Sequence, residues 1–153
     1  MTRRVARRRA GADRRLAATF RRNAAGFLQG AEAALPRHPE MTRYFLAIAI
    51  ELALKAYLLD RGISDDWNRV YLRHDLVKAL RFARRAGFDG ASAGVAELAA
   101  LVGPYYQVHG ISRMTPDEIA SVSWHQACTT VRQLIAAVAE TVGLAPSGQE
   151  NVT

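Results

Sequence analysis

Apolar residues recur at steps of three and four along most of this chain, and that spacing is typical of amphipathic helices. The first such segment runs from Asp13 to about Leu35 and ends before Pro36 and Pro39. Its apolar positions are Leu16, Phe20, Ala24, Phe27, Leu28, Ala31 and Leu35. These positions share one side of a helix, so we predict that this side faces a core. No segment shows the alternation that is typical of a strand.

The second segment is apolar on nearly every side. It begins at Glu40 or Thr42 and ends near Asp60, with Gly62 as the residue that stops the helix. A helix that is apolar all round is buried on all sides. We therefore predict that residues 44–59 form the central and most buried helix of the protein.

The remaining pattern is less regular. We predict, in order, a polar loop over residues 63–73, a helix from His74 or Asp75 to Gly87, a short Ala-rich helix over 92–102, a loop over 105–114 and a last helix over 116–142. Asp65 and Asp66 are placed to cap a short turn in the first loop. Gly103 and Pro104 are expected to end the short helix. Thr115 has the position of an N-cap, because a proline and two acids follow it.

These elements predict an all-α fold, an up-and-down bundle of four main helices with one short extra helix. A chain of 153 residues, half of them hydrophobic, is long enough for one packed domain. We place that domain at residues 13–144. Residues 1–12 are predicted to form a mobile Arg-rich arm, and residues 145–153 a flexible tail.

The positive charge of the chain is concentrated at its N-terminus. Residues 1–22 contain nine arginines and one aspartate, for a net charge of +8. The other residues contain 12 basic and 13 acidic side chains, for a net charge of −1. The arm is therefore expected to bind phosphates without sequence preference, whereas the body is not a basic nucleic-acid-binding domain.

Several classes of protein do not fit this composition. The only cysteine, Cys128, excludes a disulfide within one chain and favours a reducing, cytoplasmic location. The four histidines have no metal-binding spacing, so we predict neither a metal nor any other cofactor. No apolar run is long enough to cross a membrane, and none follows the N-terminal arginines as a secretory signal requires.

Residues 44–59 of the second segment contain one pair of charges, Glu51 and Lys55, four residues apart in the favourable order. Charges on an otherwise buried helix need partners. One interpretation is a structural ion pair that bridges helices, which we favour. The other is a polar patch that binds a ligand at a cleft of the bundle.

The next helix opens with His74, Asp75 and Leu76. Together with the segment Glu51-Leu-Ala-Leu-Lys55-Ala-Tyr-Leu, this order resembles the HEPN superfamily, whose bacterial members carry an "ELxLKAxL"-like helix followed by "HDL" and a leucine-rich helix. The resemblance implies a HEPN-like fold, a homodimer and a role in bacterial defence or a toxin–antitoxin system. It implies a ligand such as nucleotide or RNA, or a protein partner such as an antitoxin or a nucleotidyltransferase-like protein.

HEPN ribonucleases resemble one another in an Arg-x4–6-His motif, and Arg69 and His74 have that spacing here. The resemblance implies a metal-independent ribonuclease in which His74 is the base and Arg69 or Arg73 is the cation. The match departs from the family pattern because Val70 follows the arginine and the motif precedes the third helix. A binding module, a ribonuclease and a purely structural oligomerisation domain all remain open, and Asp75 is read either as a helix cap or as a ligand-binding residue.

The loop over residues 105–114 is a second candidate site. It contains Tyr105, Tyr106, His109 and Arg113, a combination that stacks on bases and clamps phosphates in other proteins. Alternatively, the tyrosines pack on the bundle and Arg113 neutralises an acid. Both interpretations stay open.

The last helix has more apolar positions than one inward side requires. They are Val122, Trp124, Ala127, Val131, Leu134, Ile135 and Val138. A second apolar side on a helix often meets a partner, so we predict a homodimer. The polar residues predicted to line its cleft are Arg69, Arg73, His74, His109 and Arg113.

Overall fold

The computed structural model describes the backbone of residues 2–142 and the side chains of residues 13–142. The helices are α1 (Thr2–Ala34), α2 (Pro39–Asp60), α3 (Asp65–Trp67), α4 (Leu76–Arg85), α5 (Ala93–Gln107), α6 (Pro116–Ala120) and α7 (Trp124–Glu140). A π-helix, Asn68–Leu72, and a 3-10 helix, Ile111–Arg113, complete the regular structure. The predicted all-α class is confirmed for these residues. The predicted flexible tail, residues 145–153, lies outside them.

The arrangement of helices differs in detail from the predicted bundle. The helix predicted to be short, α5, has 15 residues and is longer than α4, which has 10. The short helices α3 and α6 were predicted as a turn and as part of a longer helix. In the described part of the chain, no helix combines the length and the apolar character that a membrane span needs.

Helices α1 and α2 form an antiparallel pair. The Thr42 hydroxyl donates a hydrogen bond of 2.8 Å to the carbonyl of Ala31, and the rings of Phe27 and Phe45 lie 5.6 Å apart. α1 begins at Thr2 and not near Asp13, as the apolar pattern predicted. Arginine and alanine are good helix formers, so the helix can extend to residues that lack the apolar spacing. Whether the arm is mobile stays a prediction.

The prediction that α2 is the central and most buried helix is confirmed. Helices α1, α4, α5 and α7 all pack against it. Its buried residues are Thr42, Arg43, Leu46, Ala47, Ala49, Ile50, Glu51, Ala53, Leu54, Lys55, Ala56, Tyr57, Leu58 and Leu59. Gly62, which follows the helix, has a φ of 88°, a backbone conformation that glycine adopts without steric cost.

The segment between α2 and α4 is more ordered than the predicted polar loop. Ser64, and neither aspartate, is the N-cap of α3, because its hydroxyl accepts a hydrogen bond of 3.1 Å from the amide of Trp67. The π-helix then continues the turn to Leu72. Such wide turns occur as short insertions, often at functional sites, and here the π-helix leads directly to His74.

The prediction that Gly103 and Pro104 end a short helix was wrong. α5 continues through both residues to Gln107, so Tyr105 and Tyr106 are helical. Proline removes the hydrogen bond to the carbonyl four residues earlier, and that residue, Ala100, is exposed, so water can replace the bond. Gly103 itself is buried where α5 approaches α4.

The predicted last helix is two helices. Thr115 caps α6 in a capping box with Glu118, as its sequence position predicted. The helix stops at Ala120, and Ser123 caps α7 by accepting a hydrogen bond of 3.3 Å from the amide of Gln126. A serine with extended backbone offers the chain a cap in place of continued helix, which explains the break.

The additional apolar residues of the predicted last helix pack against other helices of the monomer. Ala127, Val131, Leu134 and Val138 are buried. Val122, Trp124 and Ile135 are partly buried against the core. α7 packs against α1, α2 and α5, and these helices cover more than one of its sides. The sequence argument that a second apolar side of this helix needs a partner was therefore wrong.

Candidate functional site

Three side chains converge on the buried carboxylate of Glu51 in α2. The ammonium of Lys55 lies 2.6 Å from Oε1, and the Nδ1 atom of His74 lies 2.9 Å from the same oxygen. The Tyr106 hydroxyl donates a hydrogen bond to the other oxygen, Oε2. The ring of His109 faces the His74 ring with their centroids 5.9 Å apart. We call these five residues the Glu51 centre.

Lys55 fixes the backbone beside the centre as well as the carboxylate. Its ammonium donates a second hydrogen bond, of 2.7 Å, to the carbonyl of Arg73. Arg73 has a φ of 50°, which is uncommon for a residue with a side chain. His109 has a φ of 55°, so its backbone carries the same kind of strain. The two strained residues of the described chain thus belong to the centre or adjoin it.

The contact with Glu51 determines which nitrogen of His74 carries hydrogen when the ring is neutral. An ionised carboxylate only accepts hydrogen bonds, so Nδ1 is the donor and Nε2 keeps its lone pair. The His74 side chain is 48% exposed, whereas that of Glu51 is 8% exposed. A buried carboxylate therefore orients an imidazole at the surface, which is the arrangement of a general base.

Tyr106 closes the inner side of the centre. Burial, together with the hydrogen bond to Glu51, raises the pKa of its hydroxyl above the usual range of tyrosine. Its ring contacts the His74 ring edge-on, with centroids 5.5 Å apart, and the Tyr44 ring at 5.9 Å. The phenol therefore stays protonated at neutral pH and donates to the carboxylate.

The structure brings together five of the residues predicted from the sequence. Glu51 and Lys55 were predicted as a buried pair, His74 as the start of a helix, and Tyr106 and His109 as part of the loop over residues 105–114. His74 and His109 were also predicted to line one cleft of a dimer. The expected partner charge from another helix is absent from the described residues: the full charge that pairs with Glu51 is Lys55 on the same helix. The links to other segments are an imidazole, a phenol and a backbone carbonyl.

The two arginines proposed as the cation of a nuclease differ in their positions. Arg69 lies on the exposed side of the π-helix, where its guanidinium is 3.3 Å from the carboxylate of Asp66. Both side chains are more than 70% exposed, so this pair contributes little to stability. Arg73 contributes its carbonyl to the centre, and its side chain is exposed.

Asp75 has the structural role that its sequence position indicated. Its carboxylate accepts a hydrogen bond of 3.0 Å from the amide of Lys78 and caps α4. It makes no hydrogen bond to the Glu51 centre within the described residues. The cap fixes the start of α4 directly after His74, so its contribution to the centre is to position that ring.

Tyr105 and Arg113 lie apart from the centre. The Tyr105 hydroxyl donates a hydrogen bond of 2.6 Å to Glu118, and this bond lowers the pKa of that carboxyl group. The same bond raises the pKa of Tyr105. Arg113 ends the 3-10 helix with an exposed side chain. The predicted packing role therefore fits Tyr105, since it ties α5 to the start of α6.

Sequence reasoning missed two residues near the centre. Tyr44 supports the Tyr106 ring, although in the sequence it is one of many apolar positions of α2. Asn68 is fully buried in the π-helix, and neither of its side-chain polar atoms has a hydrogen-bond partner among the described residues. An asparagine in a polar segment reads as exposed, so no sequence signal identifies it.

The chemistry of the centre is that of hydrogen bonding and proton transfer. Within the described residues, no group of three or more His, Cys, Asp or Glu side chains is arranged to hold a metal ion. Comparison with family models, with curated proteins and with solved structures found no match to this chain. The assignment of a function therefore rests on the geometry of the centre and on the resemblance of its residues.

Proposed function

We propose that this protein is a HEPN-like module that binds RNA at the Glu51 centre and acts in a bacterial defence or toxin–antitoxin system. One observation carries the proposal: a buried carboxylate orients a half-exposed imidazole beside a second imidazole. A purely structural ion pair does not require an exposed ring. The centre offers such a ring at the surface, on a framework that is buried.

The contact between the two sequence blocks supports the HEPN-like part of the proposal. Glu51 and Lys55 come from the "ELxLKAxL"-like helix, and His74 opens the "HDL" helix. The carboxylate of the first block binds the imidazole of the second, and Lys55 binds the carbonyl of the preceding residue, Arg73. The co-occurrence of the two blocks thus has a physical reason in this chain.

RNA suits the chemistry of the exposed part of the centre. Imidazole rings donate hydrogen bonds to phosphates and stack on unpaired bases. The Arg-rich residues 1–22 add a charge of +8 that attracts the phosphate backbone from any direction. The body contributes the shaped site and the arm contributes salt-dependent affinity.

A homodimer around the centre is the second part of the proposal. Val70, Tyr71 and Val108 are 61%, 55% and 64% exposed, and they lie close in sequence to His74 or His109. An isologous contact through these side chains would place two copies of His74 along one groove. The variant Tyr71→Glu, combined with Val108→Glu, is expected to give a monomer in light scattering. A wild-type monomer at high protein concentration would contradict the dimer.

A metal-independent ribonuclease is the second candidate function, favoured by the free Nε2 atom of His74. That nitrogen would take the proton of a ribose 2′-hydroxyl while the 2′-oxygen attacks the adjacent phosphorus. The bond to the 5′-oxygen breaks, and a protonated His109 returns a proton to it. The products are a 2′,3′-cyclic phosphate and a free 5′-hydroxyl. Arg69 or Arg73 would stabilise the charge on the phosphorane.

One experiment separates the two functions. Labelled single-stranded RNA is incubated with the wild type, His74→Ala, His109→Ala and, as a control, His38→Ala, which alters an exposed histidine outside the centre. Polarisation measures binding, and denaturing gels measure cleavage in the presence of EDTA. If only His74→Ala and His109→Ala lose RNA binding, the result supports an RNA-binding module. Cleavage that these variants abolish supports the ribonuclease. Equal binding by all four proteins, without cleavage, overturns both functions.

A further inference from the structure

A groove between α4 and α5 is separate from the Glu51 centre. Its volume is about 440 Å³. Its apolar lining consists of Val77, Leu80, Ala96, Ala99 and Ala100, and its basic lining consists of Arg81, Arg84 and Arg85. The apolar residues come from both helices, whereas all three arginines come from α4.

The arginines of this groove are exposed and have no acidic partner within the described residues. Among residues 13–142, no carboxylate forms an ion pair within 4.0 Å with Arg81, Arg84 or Arg85, and no acidic residue lines the groove. The guanidinium of Arg85 lies over the Phe82 ring, 5.6 Å from its centroid, which limits the positions it takes. Three positive charges therefore border an apolar floor without local neutralisation.

The floor is made of small side chains. Val77 is 39% exposed, and Ala96 and Ala100 leave room where larger residues would fill the space. An occupant with apolar side chains at helical spacing can therefore insert them between α4 and α5. An RNA strand has no methyl groups to place on alanine and valine, and its bases prefer aromatic side chains for stacking.

We propose that the groove between α4 and α5 binds an acidic amphipathic helix of a different protein. Its apolar side would lie on Val77, Ala96 and Ala100. Its Asp and Glu side chains would meet Arg81, Arg84 and Arg85, whose planar guanidinium groups bind carboxylates with two hydrogen bonds. The charge complementarity selects the partner, and the apolar floor supplies the buried area. This inference does not depend on RNA binding at the Glu51 centre.

The chain itself does not supply this helix. Residues 1–12 contain no acidic residue, and residues 143–153 contain one, Glu150. None of the helices described for residues 2–142 carries three exposed acidic side chains: α2, with Glu40, Glu51 and Asp60, has one of them buried and another paired with Arg21. A second copy of this chain is therefore a poor complement, and the occupant is a separate acidic partner.

The test uses a labelled 18-residue peptide with leucines on one helical side and glutamates on both flanks of that side. Fluorescence polarisation compares it with a scrambled peptide of the same composition and with single-stranded RNA of equal charge. We expect the amphipathic peptide to bind at least tenfold more tightly than the scrambled one. Two variants should each weaken it at least tenfold, Arg81→Glu/Arg84→Glu/Arg85→Glu through charge and Ala100→Trp through filling of the floor.

A matched control separates the groove from general charge. The variant Arg37→Glu/Arg113→Glu/Arg132→Glu makes the same charge change at exposed sites outside the groove and outside residues 1–22, and it should bind the peptide like the wild type. Circular dichroism checks that each variant is folded. The inference is overturned if the scrambled peptide binds as tightly, if Ala100→Trp has no effect, or if the control variant loses as much affinity as the groove variant.

Discussion

The two sides of α2 are built on different principles. Most buried residues of α2 are apolar, such as Leu54, which is fully buried among side chains of the core, and we call these residues its apolar side. The other side buries Glu51 and Lys55, whose polar atoms are bonded to Arg73, His74 and Tyr106. Both sides exclude water almost equally, yet only the second depends on particular partners at particular distances.

The comparison shows where this protein concentrates its specificity. An apolar contact is non-directional, so Leu54 needs only a neighbour of suitable shape. A buried carboxylate needs oriented donors, or it is destabilised by the loss of its hydration. Besides Lys55, the donors of Glu51 come from two other segments, the residues that follow the π-helix and the end of α5. The polar side therefore holds in place the segments on which an exposed histidine depends.

The largest effect is expected from breaking the polar side. Glu51→Leu leaves the ammonium of Lys55 buried with one carbonyl partner, and the free energy of unfolding should fall by about 3–5 kcal/mol. Urea denaturation measures this change. In the double variant Glu51→Leu/Lys55→Met both charges are absent, so much of the stability should return. If Glu51→Leu lowers the free energy of unfolding by less than about 1 kcal/mol, water must reach the ammonium of Lys55.

The second-largest loss of stability is expected from a substitution on the apolar side of α2. Leu54→Ala should lower the free energy of unfolding by about 2–5 kcal/mol, because burial is lost and a cavity remains. Lys55→Met should compensate for Glu51→Leu, whereas no second substitution of this kind should compensate for Leu54→Ala. The exposed Val108→Ala is the control and should change stability by less than about 0.5 kcal/mol. An equally small change for Leu54→Ala would contradict its place in the core.

Removal of one donor tests how far the polar side depends on each partner. Tyr106→Phe should destabilise the protein by about 1.5–3 kcal/mol, since a hydrogen bond to a charged group is lost. The folded protein raises the pKa of this tyrosine, so the folded state keeps a proton that the unfolded chain releases near pH 10. The contribution of Tyr106 is therefore complete below about pH 10 and is lost as the pH rises further.

The pH dependence of stability tests the role of the Tyr106 hydroxyl. The stability difference between the wild type and Tyr106→Phe should narrow in denaturation measured above about pH 10. Tyr71→Phe, which alters an exposed side chain, should match the wild type in neutral solution. A difference that stays constant at alkaline pH would mean that the phenol of Tyr106 is not held protonated by the fold.

The smallest effect on stability is expected outside both sides of α2. Deletion of residues 1–10 should leave the thermal midpoint almost unchanged, since this segment has few apolar residues to dock. The deletion should remove most salt-sensitive, sequence-independent binding to nucleic acid. Binding that survives the deletion would place the main nucleic-acid site on the near-neutral body.

Features that depend on a few neighbouring residues followed from the sequence. The apolar segment of α2 predicted a central buried helix, because a helix without a polar side has no surface to present to water. The N-caps at Asp75 and Thr115 were predictable, since a cap bonds an amide three residues away. The stop at Gly87, with a φ of 108°, was predictable for the same local reason.

Features that depend on distant residues did not follow from the sequence. Pro104 reads as a helix breaker, and only the packing of α5 against α4 and α2 keeps the helix continuous there. The apolar surplus of α7 reads as an interface, and only the positions of α1, α2 and α5 show that the monomer covers it. A local pattern states that a surface must be buried, but it does not state which neighbour buries it.

The candidate centre shows the same division within a single site. The sequence by itself determined that Glu51 and Lys55 are buried charges that need partners, and that His74 precedes a helix start. Tertiary structure alone decided that Tyr106 donates to this carboxylate, because that contact joins residues that are 55 positions apart. Hydrogen bonds of this kind are set by the packing of whole helices, and no spacing along the chain encodes them.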